Sequence, residues 1–378
     1  MIRFRTQKMT LETYVQTYHK CYLVAQWNDY GLFASLTPLV FESYINPLAS
    51  VPVTVSKEAD SWIAHEWKAH THYFDTKDWW FNGHLLCNTR AAWSSRDVET
   101  LSLMFSTVRM QGPARVLVNR RDFPWVKTDG TLPYTFLRGP LPQVFCSLKE
   151  LPLSFYGGRM WRDMLIPPPD HWSVWKDTES LRRQPFATRK RTAVFRGTLT
   201  GKHMDDRNVR IALCKVRHTL LDAGLTAWTR RERISLKDGN LQVIAPPPSM
   251  PLVPSLTREE QAHYQVLIYA HGHVASSRLA WQLCSGSLVI ALDSPCDAPE
   301  MWFSDKIPKW RFRVGETPPH DACFLETTLG SLIPCLEWCL ANSEVTHQIV
   351  QTCLSTSSKV FHTERLRQAL QHACTAAA

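Results

Sequence analysis

At 378 residues, with 44% hydrophobic and 20% charged side chains, the chain has an ordinary globular composition and enough length for two domains with full cores. No stretch approaches the roughly eighteen uncharged apolar residues of a membrane helix, and Met1-Ile-Arg-Phe-Arg opens without an apolar signal segment, so a cytoplasmic protein without a membrane span is expected. The net charge of +9 admits a polynucleotide partner, but the basic runs are short, as at Arg182-Arg183 and Arg189-Lys190-Arg191, and mixed with acids. A solvated face or a pocket for one small anion explains them at least as well, and nucleic acid is not the expected partner.

In chain order, the tryptophan-rich first hundred residues offer few clear elements. His65, His70 and His72 invite a zinc reading, but the five-residue step from His65 to His70 turns the rings onto different helix faces. Trp79-Trp80 and the Trp172/Trp175 pair suit packing better than sugar stacking. The firmest early strand is Arg115-Val-Leu-Val118, which runs into Arg121-Asp122-Phe123-Pro124. Aspartate before such a turn is common for its local hydrogen bonds alone. The proline cluster Ile166-Pro-Pro-Pro-Asp-His-Trp172 opens a hinge extending to about residue 190, and the domain boundary is expected near 175–190. A second cluster, Ala245-Pro-Pro-Pro-Ser-Met-Pro251, reads as a loop. Thr192-Ala-Val-Phe195 starts a new strand and passes into Arg196-Gly197-Thr198-Leu-Thr-Gly201. Thr198 and Thr200 suit either a turn cap or a ligand.

The segment Tyr269-Ala-His271-Gly272-His273-Val274-Ala275-Ser276-Ser277-Arg278-Leu279 lies between the apolar runs 265–269 and 287–292. It reads as strand, glycine turn, short helix, strand, with Gly272 supplying a turn that can tolerate positive φ. Ser276 or Ser277 is the candidate N-cap, and Gly286 stops the helix. Such a βαβ unit places helix-end amides and a first-turn guanidinium beyond the carboxyl end of a strand, where α/β proteins hold phosphates. Arginine on a first turn opposes the helix dipole, and a bound anion would account for it. A phosphorylated ligand follows. Apolar spacing of three and four residues marks closing helices from Leu329, from Thr346 and from Glu364. Eleven cysteines without a C-x-x-C pair fit a reduced protein. Cys335 and Cys339, four apart on one helix, fit packing rather than a metal.

Four strings, Arg121-Asp122-Phe123-Pro124, Asp163-Met-Leu-Ile-Pro167, Phe195-Arg196-Gly197-Thr198 and Gly272-His-Val-Ala-Ser-Ser-Arg278-Leu279, stand in the order and rough spacing of motifs in another group of proteins. There the chain resembles the protein O-glucosyltransferase and capsule-associated xylosyltransferase-like enzymes, glycosyltransferase family 90, from about residue 110 to 345. The resemblance implies an α/β, GT-B-like fold: two Rossmann-like domains facing across a cleft, residues 1–180 on the acceptor side and 181–345 binding the nucleotide sugar, with closing helices over 346–378. It implies an inverting transferase that moves glucose or xylose from a UDP-sugar to a hydroxyl on a protein or glycan. No metal or other cofactor is implied, and the absence of an Asp-x-Asp motif agrees. Asp122 would be the general base. Arg196, Gly197, Thr198 and the segment His273, Val274, Ala275, Ser276, Ser277 and Arg278 would hold the donor, with either Arg207 or Arg210; Asp163 and His271 are further candidates. The chain departs from the family pattern at His271, where relatives carry an acidic residue, and at Arg311-Phe312, where they often carry His-Tyr. A GDP- or CDP-sugar donor, and a non-catalytic nucleic-acid-binding or scaffolding protein on a transferase fold, are the alternatives.

Overall fold

The computed structural model describes residues 103–110, 153–157, 164–200, 206–228, 250–272, 275–293 and 300–377, together with the backbone of strands within 6–10, 22–27, 33–38, 52–56, 80–81, 85–86, 114–119, 233–237 and 240–244. The chain divides into two compact units. One comprises Met1–Pro169, Arg233–Val243 and Arg367–Ala378; the other comprises Asp170–Glu232 and Ile244–Leu366.

The first unit holds a five-stranded sheet in the order Met164–Leu165, Leu153–Ser154, Ala114–Asn119, Tyr22–Trp27, Phe33–Pro38. Its first three strands are parallel, but Tyr22–Trp27 runs antiparallel to both of its neighbours. This sheet is mixed, unlike the all-parallel sheet expected of a Rossmann-like domain. The reason lies in chain length: only residues 28–32 join the last two strands, too few for the crossover that parallel pairing demands. Gln371 braces this unit, accepting the Arg109 amide at 2.7 Å and donating to the Arg109 carbonyl at 2.8 Å.

The second unit is built on a six-stranded sheet, parallel at every pairing. Its order is Leu221–Trp228, Lys190–Leu199, Tyr264–Tyr269, Leu288–Leu292, Phe324–Thr327, Lys309–Arg311. Central strands covered on both faces need continuous apolar runs, and Leu288-Val-Ile-Ala-Leu292 is buried throughout. Phe195, Ile268, Ile290 and Leu325 form one core with Leu332, Cys335, Leu336 and Cys339 of the Leu332–Ala341 helix and with Ile349 and Val350 of the Ser343–Val360 helix. Cys335 and Cys339 are therefore packing residues, and among the described residues no group of three metal-ligating side chains occurs. No described helix is long and apolar enough to cross a membrane.

Residues 170–190, expected as a hinge, are folded into this second unit. Short helical turns at Val174–Asp177 and Glu179–Arg182 are stapled down by two arginines. Arg182 lies 3.7 Å over the Trp175 ring and donates to the carbonyls of Trp175 and Cys284. Arg189, buried, donates to the carbonyls of Leu181, Gln184 and Ser285 and to Ser287 Oγ. The prolines end regular structure as expected; of the basic residues after them Arg182 and Arg189 bind carbonyls, while Lys176, Arg183, Lys190 and Arg191 face solvent as a solvated face would.

Candidate functional site

Strand order locates the site before any side chain does. From Lys190–Leu199 the chain crosses to Leu221–Trp228 on one side, then returns past its start to Tyr264–Tyr269 on the other. The connections beyond the carboxyl ends of the 190–199 and 264–269 strands thus diverge to opposite sides and leave a crevice between them. In open α/β sheets this is where ligands sit.

Local sequence shapes both walls. On the first, register against Leu221–Trp228 shifts between Gly197 and Thr198, a bulge that re-aims the strand end. A Cβ on Gly197 would stand 3.0 Å from the Phe195 ring, tighter than ordinary contact, and at van der Waals distance, 3.6 Å, from Arg278 Nη2. Asn208 then starts the Val209–Lys215 helix: its Oδ1 accepts the Arg210 amide at 3.0 Å, and its Nδ2 donates to the Thr200 carbonyl at 3.0 Å. On the second wall the expected βαβ unit is present, Tyr264–Tyr269 leading to the Arg278–Leu283 helix and on to Leu288–Leu292. Ser277 occupies the N-cap position without making a side-chain cap bond. Instead the Ser276 amide donates to Tyr269 Oη at 2.8 Å, which pins the loop to the strand it left.

Gly272 serves close packing at this turn. It does not take the positive φ found at Gly286 and Gly315; glycine is needed because a Cβ there would overlap Thr200 Oγ1 and approach Arg210 Nη2 to 3.2 Å. The two walls touch at this point, and close approach rather than handedness selects the residue.

Arg210 joins them. It is buried; its Nε donates to the His271 carbonyl at 3.0 Å, Nη1 to the Thr198 carbonyl at 2.7 Å and Thr200 Oγ1 at 2.6 Å, and Nη2 to the Ala270 carbonyl at 3.0 Å. Its fork is committed to the ends of two strands, so Arg210 positions the loops. Arg207, the other candidate, is exposed. Arg278 lies under the first wall: Nη1 donates to the Arg196 carbonyl, the guanidinium stands 5.7 Å from the Phe195 ring, and Nε is buried without a partner among the described residues. Burial draws its pKa down. Arg196 turns away towards the sheet edge, bonded to the Asp222 carboxylate at 2.8 Å and to the Asp222 carbonyl at 2.9 Å.

His271 ends the second wall. Its ring packs edge-on to Tyr269, with centroids 4.9 Å apart and planes at 76°. Burial above all, then the positive charges of Arg210 and Lys309, push its pKa down to about 4, so the imidazole is neutral at physiological pH. Further along the carboxyl edge, Arg311 pairs with Asp293 and Lys309 with Glu326 at 2.7 Å, while Phe312 is buried. Asp122, Asp163, His273 and Val274 lie outside the described residues.

The structure thus brings Gly197, Thr198, Arg210, His271, Ser276 and Arg278 to one crevice. The sequence reading passed over Asn208, Tyr269 and Lys309. Asn208 carried a signal, an N-cap residue one position before an apolar helical run; Tyr269 read only as the last residue of a buried strand.

No protein-family model matches the chain. It is 29% identical to the uncharacterized protein 035R of Invertebrate iridescent virus 3 over 306 residues, covering 74% of this chain and 27% of that protein. It is 24% identical to protein 179R of Invertebrate iridescent virus 6, covering 78% of this chain and 29% of that protein, and 24% identical to protein 027R of Frog virus 3, covering 64% and 27%. The chain therefore spans less than a third of the length of these viral relatives. Among solved structures it is similar to Anabaena HepE in complex with UDP-glucose, at a TM-score of 0.31 and 12% identity over 61% of this chain and 65% of that one.

Proposed function

We propose that the chain is the catalytic part of a GT-B-like, metal-independent, inverting glycosyltransferase that moves a sugar, glucose or xylose, from UDP to a hydroxyl on a protein or glycan. One observation supports this reading above the others. Two strings that resemble family 90 motifs, 82 residues apart at Arg196 and Arg278, meet at a topological switch point, where Arg278 bonds the Arg196 carbonyl. A chance resemblance has no reason to converge where an α/β sheet binds ligands.

In this reading Asp122 takes the proton of the acceptor hydroxyl as that oxygen attacks the anomeric carbon from the face opposite the nucleotide. The bond between the anomeric carbon and the phosphate oxygen breaks, and UDP departs with its bonding electrons. Arg278 and the helix-end amides beyond Ser276 offset the charge gathering on the diphosphate. Arg210 holds both loops in place for this. Arg182, Arg189, Arg196 and Arg210 bind internal acceptors, which keeps these four out of any phosphate-facing surface of the rival nucleic-acid reading.

A thermal-shift panel of UDP, GDP and CDP tests the donor class, and turnover of Asp122→Asn tests the base. UDP is expected to raise Tm for both proteins, while the variant loses transfer by about 10²–10⁴-fold. Stabilisation by GDP or CDP alone would move the donor to another nucleotide. Near-normal turnover of Asp122→Asn would remove Asp122 from the chemistry. Tight polynucleotide binding with a steep salt dependence, and no nucleotide shift at all, would favour the rival.

A further inference from the structure

His271 stands where the resemblance calls for an acidic residue, and its surroundings decide what chemistry it offers instead. The backbone there is fixed, because Arg210 holds the carbonyls of Ala270 and His271. The ring has two nitrogens. Nδ1 lies 3.4 Å from Tyr269 Oη; Nε2 has no partner among the described residues. Which of them carries the proton follows from the hydrogen bonds of the phenol.

Tyr269 Oη already accepts the Ser276 amide at 2.8 Å, so its own hydrogen is left to donate. Two acceptors stand at 3.4 Å, His271 Nδ1 and the Ser276 carbonyl. The carbonyl already takes the Leu279 amide at 3.1 Å, whereas Nδ1 has no other donor among the described residues. With the carbonyl already served and Nδ1 not, the phenol hydrogen is assigned to Nδ1. The imidazole proton must then sit on Nε2. The charged groups facing the ring, Arg210 and Lys309, oppose a second proton, and the Tyr269 phenol, pushed up by burial, stays protonated.

We propose that Tyr269 locks His271 as the neutral Nε2–H tautomer, and that this N–H donates to a phosphoryl oxygen of the nucleoside diphosphate at the switch point. The second half rests on the nucleotide-sugar reading; the first does not. An ionised acidic residue here can only accept, as from a ligand hydroxyl. His271 reverses that demand, which makes it a specificity-determining residue and Tyr269 its positioning residue.

Long-range ¹H–¹⁵N spectra of histidine-labelled protein test the lock. In ligand-free protein at pH 7 the His271 resonances should show a protonated Nε2 and a bare Nδ1, unchanged to pH 5. Tyr269→Phe should shift the pattern towards a mixture of tautomers. A protonated Nδ1 in the wild-type protein overturns the lock. UDP should then move the Nε2 resonance. His271→Gln, which keeps an N–H donor, should bind UDP within about threefold of wild type, and His271→Glu should bind about tenfold or more weakly. Binding of UDP without any change at Nε2, or equal affinity of the Gln and Glu variants, overturns the phosphoryl contact. Failure of the wild-type protein to bind UDP overturns the nucleotide reading and the phosphoryl contact together, while the ligand-free spectrum still decides the lock.

Discussion

Two buried arginines bracket one parallel sheet, Arg189 where its first strand begins and Arg210 just past where that strand ends. Each binds carbonyls from separate segments, and each has a glycine pressed against it: Gly286 would bring a Cβ within 3.0 Å of Arg189 Nη2, and Gly272 within 3.2 Å of Arg210 Nη2. The difference lies in what surrounds them. Arg189 meets the carbonyls of Leu181, Gln184 and Ser285 and the Ser287 hydroxyl, which it satisfies. Around Arg210 stand Thr200, a neutral His271 whose Nε2 has no partner among the described residues, and a reversal of strand order. Burying a guanidinium does not make a site. Hydrogen-bonding capacity left over at a switch point does.

The largest expected effect tests that distinction directly. Arg189→Met removes the donor to three carbonyls and a hydroxyl, each costly to leave unpaired, and should lower the stability of the second unit by about 3–5 kcal/mol in urea unfolding. Its UDP affinity, measured on the folded fraction, should stay within about twofold of wild type. Arg210→Met should lose comparable stability and also weaken UDP by about tenfold or more, because both loops of the crevice lose their common anchor. If the two variants weaken UDP equally, the amino and carboxyl ends of the sheet do not differ in the way argued here.

The same contrast shows what was legible beforehand. Strand 264–269, the helix from Arg278, strand 288–292 and the closing helices follow from apolar runs and spacing, and all are present. Periodicity sees those features because burial on a sheet or helix face dictates them. Where an arginine head would point was not legible. Spacing does not choose between Arg207 and Arg210, though Arg210 opens an apolar helical run; Arg207 is exposed and Arg210 clasps two strand ends, while Arg196 pairs with Asp222. Those outcomes depend on carbonyls brought close only by pairing of distant strands. Gly272 was read as a turn glycine for the same reason, since its neighbour Thr200 is 72 positions away in the sequence. Thr257-Arg-Glu-Glu260, by contrast, carries a complete capping-box signal in its letters alone, and both of its hydrogen bonds are made.

Two histidines extend the comparison with a somewhat smaller effect. His171 is buried among Trp302, Phe303 and Phe361, accepts the Trp302 indole N–H on Nδ1 at 3.1 Å, and faces the Ser277 backbone with Nε2, short of a hydrogen bond. Burial first of all pushes its pKa down to about 4, with Asp170 opposing. The folded value lies below the ordinary 6.5, so the unfolded chain binds the extra proton first. Stability is then full above about pH 6.5 and is lost as pH falls towards 4. For His171 the loss is roughly 3 kcal/mol across that window. His171→Gln, which keeps an acceptor for the indole, should flatten that part of the curve in urea titrations at pH 7, 5.5 and 4.5. An identical slope in both proteins would remove His171 as its source. His271, also neutral, should add to the acid loss in ligand-free protein, and UDP should not change its charge.

The two glycines give the smallest and sharpest contrast. Gly286 has φ of +80° after the Arg278–Leu283 helix, a conformation that costs an L-residue about 1 kcal/mol. Gly272 has no such backbone demand, and alanine there must push Thr200 and the Arg210 fork apart, an overpacking cost of about 1–3 kcal/mol. Gly286→Ala should therefore lose a little stability in urea unfolding and leave UDP binding unchanged. Gly272→Ala should weaken UDP binding beyond its effect on stability, and adding Thr200→Ala should restore part of the lost stability, because the overlapping hydroxyl is gone. Gly286→Ala keeps the same neighbour type, an arginine Nη2, so it controls for crowding a guanidinium in general. If Gly272→Ala binds UDP normally, the meeting of the two walls is a packing contact like the one at Gly286, and the ligand lies elsewhere on the carboxyl edge.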